Sequence, residues 1–463
     1  MENQTAAVIL AAGDGKRMRS ARSKICCEIL MKPMLSWVLD SCRRFGLPER
    51  HVCAVLSGLD DGVRELLPPE LCTAVQSERL GTGHAVRMAE PFLRKMQEKG
   101  IQNVCVLYGD VPFLDETVLT PALELHRREK NAVTVLTAVV SDPARYGRIV
   151  RKPGESVRII EAADASAAEL HICEINSGVY WFSLDYLLKA LPLLKNDNAQ
   201  KEYYLTDLVG MAPSLGRTAG AFACPDEKAV LGANSRRELA ALNDIARRRV
   251  FDALYDAGVD IPCTDGILIG PDVSVGPDTT ILPGCILAGS TRVGRSCVIG
   301  PNTRVIDSSV GDGCVIDSSR IEKSVVKNGV RIGPFSQLRP DCVVEDGVKI
   351  GDFVEVKNST VGERTSLAHL TYIGDSDFGC GINVGCGVVT VNYDGQHKFR
   401  TTVKDGAFIG CNTNLIAPVT VGEGAYVAAA TTVTKDVSPG AMAIGRVRQE
   451  ELPGRAEGRI KKK

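Results

Sequence analysis

The chain has 463 residues, 44% of them hydrophobic, and its acidic and basic side chains nearly cancel to a formal net charge of −1. That length calls for two or three domains, and the charge balance excludes a general nucleic-acid or membrane-surface binder. No run approaches the roughly 18 apolar residues of a membrane span, and sixteen cysteines without a C-x-x-C pair predict reduced thiols in a cytoplasmic protein, not a disulfide framework or a zinc site.

The short apolar run at the amino end has no basic region before it, so no signal peptide is expected. Residues 7–10 predict a buried strand, which opens into A-A-G-D-G-K-R-M. Glycines after a strand let backbone N–H groups approach a phosphate. A following helix adds the positive end of its dipole. Lys16, Arg17 and Lys24 add full charges, as a nucleoside triphosphate requires, although the spacing fits neither common glycine-rich phosphate motif. A helix is predicted over 33–44 and a strand over 52–56. Next comes a second glycine turn, Gln76 to His84, with side-chain donors suited to a base edge. A helix is predicted over 84–99, then a strand over 104–108 that ends in Tyr108-Gly109-Asp110. An aspartate at the carboxyl end of such a strand sits where ligands bind, and Mg²⁺ prefers that hard oxygen, shared with phosphate. With a further strand over 133–139, the alternation predicts an α/β domain around a mostly parallel sheet.

Leu239, Leu242, Ala246, Val250 and Leu254 recur at helical steps, so 235–258 reads as one amphipathic connecting helix. Asn234 or Ser235 can cap its start and Gly258 its end.

After Ile261 the pattern changes period. From Ile269 an aliphatic residue recurs every six positions through Val305, slips by one at Val310 and reaches Ile316. It resumes at Ile332, slips again at Val361, continues to Ile373, and runs a last time from Ile409 to Val433. Period six fits a parallel β-solenoid in which each hexad supplies one flat face. Residues 389–407 break the hexads with a polar stretch carrying Lys398 and Arg400, and so predict a functional excursion. His369 lies off the inward register of its neighbours Leu367 and Ile373. The terminal Arg459-Ile460-Lys461-Lys462-Lys463 reads as a solvated tail.

Taken together, L-A-A-G-x-G-x-R-M, Lys24, Q-x-x-x-L-G-T-G-H-A, Y-G-D-V-P, Y-G-R-I, E-I-N-S-G and E-Y-Y-L-T-D resemble one family. It is the bifunctional N-acetylglucosamine-1-phosphate uridyltransferase/glucosamine-1-phosphate N-acetyltransferase. The resemblance continues through Q-L-R-P, F-V-E-V-K, A-H-L-T-Y-I-G-D, N-Y-D-G and I-G-R-V, colinear over essentially the whole chain. It implies an α/β Rossmann-like nucleotidyltransferase domain (1–236), a linker helix (237–257) and a left-handed parallel β-helix of hexapeptide repeats (258–463).

For uridylyl transfer, the resemblance assigns Leu10, Ala11, Ala12, Gly13, Gln76, Gly81 and Thr82 to the uridine end, and Arg17 and Lys24 to phosphate. Tyr108 and Gly109 belong to the same nucleotide and sugar set. Asp110 and Asn234 would hold Mg²⁺, and Gly147, Glu161 and Asn176 would contact the sugar. For acetyl transfer, His369 would be the general base, because an amine attacks a thioester only when unprotonated. Arg339, Lys357 and Lys398 would grip the sugar phosphate, with Glu355, Tyr372 and Asn383 orienting sugar or base. Cys386, Asn392, Tyr393, Cys411, Ala429 and Arg446 would contact acetyl-CoA. Lys16, Cys386 and Cys411 depart from the threonine, alanine and serine usual in the family. The co-substrates would be UTP and acetyl-CoA, and the assembly a homotrimer in the cytoplasm that feeds peptidoglycan and other envelope polysaccharides. Two alternatives stand beside this reading. One is a single-activity pyrophosphorylase with a structural or regulatory solenoid, against which intact His369, Lys357, Tyr372 and Asn383 argue. The other is a non-catalytic assembly subunit, against which Asp110 and Lys24 argue.

Overall fold

The computed structural model describes residues 4–13, 18, 23–58, 62–151, 156–457 and 459. Lys16, Arg17 and residues 460–463 lie outside them. The chain divides into two compact units, 1–246 and 247–463.

The first unit is built on strands β1 (Thr5–Ala11), β2 (Val52–Ser57), β3 (Cys72–Gln76), β4 (Asn103–Tyr108), β5 (Val133–Val139), β6 (Glu174–Ser183) and β7 (Ala219–Ala223). They lie in the order β7-β5-β6-β4-β1-β2-β3. Only β6 runs antiparallel to its neighbours along this path. Successive residues of β1 feed opposite faces. Ala6 and Val8 pack with Val55, Val106, Tyr180 and Phe182, whereas Ala7 and Ile9 pack with Leu107 and Trp181. A sheet covered on both faces needs continuous apolar strands, which is why β1 reads as an unbroken hydrophobic run.

The helix expected over 84–99 is two helices, Thr82–Met88 and Glu90–Glu98. Pro91 has no N–H, and its ring would strike the carbonyl four residues back, so one helix cannot run through. The connecting helix is Arg236–Asp256. Ser235 Oγ accepts from the Glu238 N–H at 3.3 Å, and the Glu238 carboxylate accepts from the Asn234 N–H at 2.5 Å, a reciprocal cap. At the other end Gly258 has φ +81°, and the Val259 N–H donates to the Leu254 carbonyl at 3.0 Å. That closes the last turn through a left-handed residue.

The second unit is a left-handed parallel β-helix of hexapeptide repeats, whose short strands form three parallel sheets of ten, nine and ten strands. Leu268 pairs with Ile286, one coil of three hexads later. The inward aliphatic side chains stack into a single core. The apparent gap between Ile316 and Ile332 is filled by buried Ile321 and Val326, which pair with Val305 and Val310. The repeat is shortened there, not interrupted. The excursion is also narrower than the sequence suggested, because Val389–Val391 and Thr401–Val403 remain in the ladders. Phe378 pairs with Val403, twenty-five residues on, where an ordinary coil takes eighteen. Thr390 occupies an inward aliphatic position there, fully buried, and its hydroxyl accepts from the Gly374 N–H at 2.7 Å.

Candidate active sites

In the first unit a cavity of about 490 Å³ opens at the carboxyl ends of β1 and β4. Leu10, Ala12, Gly13, Lys24, Gln76, Gly81, Thr82, Tyr108, Asp110, Gly147, Glu161, Asn176 and Asn234 all line it. Ala11 and Gly109 stand behind this lining as buried supports, with the Gly109 N–H donating to the Leu10 carbonyl at 3.0 Å. Arg17 lies outside the described residues. Arg79, Arg145, Tyr146 and Gly178 also line the cavity; the two arginines escaped the sequence reading, and Tyr146 and Gly178, though within its motifs, were given no role. Arg79, Arg145 and Tyr146 belong to loops, and Gly178 to β6, and no local pattern announces their convergence.

Lys24 is the hub. Its ammonium donates to Asn234 Oδ1 at 2.9 Å and is ion-paired with Asp110 Oδ2. Two hard oxygens from distant segments therefore converge on one cation position.

The second glycine turn is held against the loop carrying E-Y-Y-L-T-D. The Tyr203 N–H donates to the Leu80 carbonyl and the Gly83 N–H to the Tyr203 carbonyl, both at 2.8 Å. Thr82 Oγ1 accepts from the Leu205 N–H at 3.1 Å. Gly81 has φ +105°, and a Cβ there would lie 2.7 Å from the Tyr203 carbonyl oxygen. No other residue fits that approach. Gln76 Nε2 donates to the Gly81 carbonyl at 3.0 Å and lies 3.0 Å from His84 Nδ1.

At the opposite wall, Thr206 donates to Glu161 at 3.1 Å. Burial pushes the Glu161 carboxyl above its ordinary value despite that bond, with Asp164 and Asp207 adding to the rise. Asn176 donates to the Tyr180 hydroxyl at 2.7 Å and accepts from the Gly178 N–H at 3.0 Å. Burial likewise raises the Tyr108 hydroxyl, which therefore stays neutral and able to donate.

In the second unit one corner of the solenoid carries a column of residues. Each lies two positions past an inward aliphatic side chain: Asp352 after Ile350, His369 after Leu367, Cys386 after Val384, Cys411 after Ile409 and Ala429 after Val427. The ladder registers stack these coils directly. His369 Nδ1 lies 2.6 Å from Asp352 Oδ1. A carboxylate only accepts, so Nδ1 carries a proton, and the neutral ring is the tautomer with its lone pair on Nε2. The bond from His369 holds the Asp352 carboxyl below its usual range. Asp352 was missed from sequence, yet it stands one coil, seventeen residues, before His369.

Around the next corner Arg339 donates to Glu355 at 3.0 Å, and Glu355 pairs in register with Tyr372. The Lys398 ammonium beside Lys357 pushes the Lys357 ammonium below its ordinary value, with burial and Arg339 adding to the effect. The three cations outnumber the carboxylates beside them, Glu355 on Arg339 and Asp375 near Lys357, and so make a site that attracts an anion. Asn383 sits on the outer face in register with Ser366 and Phe408. The expected acetyl-CoA residues divide. Cys386, Cys411 and Ala429 share the column, and Arg446 joins it by donating to the Ala429 carbonyl at 2.8 Å. Asn392 is buried and donates to Asp375, whereas the Tyr393 hydroxyl donates to the Gly395 carbonyl at 2.6 Å within the excursion. Neither belongs to the column.

Comparisons with known proteins agree across both units. Residues 7–172 match the MobA-like NTP transferase domain, and 300–378 match the GlmU-like C-terminal hexapeptide. A curated protein of Thermoanaerobacter pseudethanolicus named Bifunctional protein GlmU is 45% identical over 98% of both chains. Proteins of the same name from Caldanaerobacter subterraneus and Clostridioides difficile are 45% and 43% identical over 98% of each chain.

The chain belongs to the GlmU family. It is therefore a bifunctional transferase, a uridyltransferase joined to an acetyltransferase for UDP-N-acetylglucosamine synthesis. The GlmU fold accounts for both cavity and column: the sheet brings the ends of distant strands to the cavity, and the stacked coils bring residues a coil apart into the column.

Proposed function

We propose that the second unit acetylates glucosamine 1-phosphate from acetyl-CoA, and that the first then joins the product to the uridylyl group of UTP, releasing pyrophosphate. The observation that carries this reading is the pairing, on one chain, of the Lys24–Asp110–Asn234 cluster with the Asp352–His369 dyad.

In acetyl transfer, Asp352 holds the His369 tautomer that leaves Nε2 free. Nε2 takes a proton from the amine as its nitrogen attacks the thioester carbon, and CoA leaves as the thiol. Arg339, Lys357 and Lys398 bind the sugar phosphate, while Glu355, Tyr372 and Asn383 orient the sugar. Cys386, Cys411, Ala429 and Arg446 flank the acetyl-CoA path, with Asn392 and Tyr393 shaping the excursion beside it.

In uridylyl transfer, the sugar-phosphate oxygen attacks the α-phosphorus of UTP in line. Both reactants are anionic, so positioning and charge neutralisation dominate. Lys24 and Arg17 neutralise phosphate, and Gln76, Gly81 and Thr82 hold the base. Gly147, Glu161 and Asn176 hold the sugar. Asp110 and Asn234 fit Mg²⁺, because their oxygens already meet at a cation position and two protein ligands leave room for phosphate and water oxygens. Bound there, Mg²⁺ supplies further neutralisation of the triphosphate.

We place this protein in the cytoplasm as a homotrimer whose product feeds peptidoglycan and other envelope polysaccharides. The domains are assigned as 1–236, 237–257 and 258–463. The test supplies glucosamine 1-phosphate, acetyl-CoA, UTP and Mg²⁺ to the purified chain. Formation of UDP-N-acetylglucosamine is expected, and acetylated sugar phosphate accumulating without nucleotide sugar would overturn the two-site reading.

A further inference from the structure

The first unit has a second, larger cavity, of about 730 Å³. It lies at the rim opposite the catalytic one, where β1, β4, β5 and β7 begin and β6 ends. Its floor is polar, with Asn103, His126 and Asn131 only 7%, 2% and 5% exposed. Arg127, Lys130 and Arg217 stand around it, against one carboxylate, Asp185. Asp185 is already matched by Lys189 at 3.0 Å and Arg217 at 3.8 Å. No described residue forms an ion pair with Arg127 or Lys130.

These cations are not consumed by the helix ends beside them. The helix Glu116–Arg128 closes on its own backbone, with the Asn131 N–H donating to the His126 carbonyl at 3.0 Å. The helix Glu90–Glu98 does the same, with the Ile101 N–H donating to the Met96 carbonyl at 3.0 Å. The end carbonyls are satisfied, so the side-chain charges remain for something else. Gln97 and Gln102 add amide donors at the rim.

We propose that this cavity is a second anion site, which binds a phosphate group between Arg127, Lys130 and Arg217. Guanidinium forks suit phosphate oxygens, and the excess of cations over carboxylates supplies the attraction. His126 is a built-in reporter. Burial first, then Arg127 and Arg217, lower its imidazole to about 4, so an anion between those two side chains changes its surroundings directly.

The experiment titrates the full chain, carrying isotope-labelled histidine rings, with inorganic phosphate while the ring resonances are followed. The chain has six histidines, and His84, whose Nδ1 lies 3.0 Å from Gln76 Nε2 in the wall of the catalytic cavity, is the separate reporter for phosphate entering there. A saturable movement of the His126 signal is expected. Arg127→Ala and Arg217→Ala should each weaken it about tenfold, the worth of one hydrogen bond to a charged group, and the double variant should abolish it. Retained uridylyl transfer in the double variant shows that it has folded. A His126 signal that stays still, or moves equally in the double variant, overturns the proposal. A second arm uses ribose 5-phosphate. Tighter binding than inorganic phosphate assigns an esterified ligand, and equal or weaker binding assigns the free ion.

Discussion

At the residue scale, the Asp352–His369 pair sets the clearest expectations. His369→Ala should lower acetyl transfer by about 10²–10⁴-fold and leave uridylyl transfer intact, with each half-reaction assayed separately. Asp352→Asn should cost about tenfold or more in kcat with little change in KM, because it frees the imidazole to adopt the wrong tautomer without removing it. Glu161 poses a different question, since its buried carboxyl binds a proton more tightly when folded than when unfolded. Unfolding therefore releases that proton, and stability falls as pH rises past the unfolded value of 4.5. Glu161→Gln should raise Tm at pH 7.5, with the gain disappearing below that value. The same substitution should raise KM for the sugar phosphate. An unchanged Tm at both pH values would show that the carboxylate finds compensation within the cavity.

Elements explain why parts of both sites were legible and others not. The hexad repeat is visible because each coil buries one aliphatic side chain per face, so the core itself prints the period. Asp352 is invisible to local motif reading, yet register arithmetic reaches it: one coil back from His369 is a carboxylate. The cavity in the first unit is less legible. Arg79, Arg145 and Tyr146 meet there through loops that follow unrelated strands, and no spacing encodes that meeting. Gly178 shows the same limit. Its φ is +80°, and a Cβ would fall 2.6 Å from the Tyr108 ring. Gly178→Ala should cost about 1–3 kcal/mol, read by denaturant unfolding of the first unit. The excursion makes a complementary test. Deleting 393–399 returns its coil to eighteen residues, so the solenoid should keep its thermal transition while acetyl transfer is lost with Lys398.

For the whole molecule, each unit carries its own core, the solenoid cluster in one and the two faces of the sheet in the other. Damage to one site should therefore leave the other working. Mixing the Asp110→Ala protein with the His369→Ala protein should restore conversion of glucosamine 1-phosphate to the nucleotide sugar, because the intermediate can leave one molecule and enter another. Failure of the mixture, with each partial reaction intact, would require hand-over within a single molecule. The eighteen-residue coil carries a further consequence for how such a chain can change length. Adding three hexads lengthens the stack by one strand spacing, about 4.8 Å, and keeps every side chain on its own wall. Adding one or two whole hexads turns all that follows onto a different wall, so a change of length that keeps the register must either complete a coil or be absorbed at a corner, as the excursion before Thr401 is.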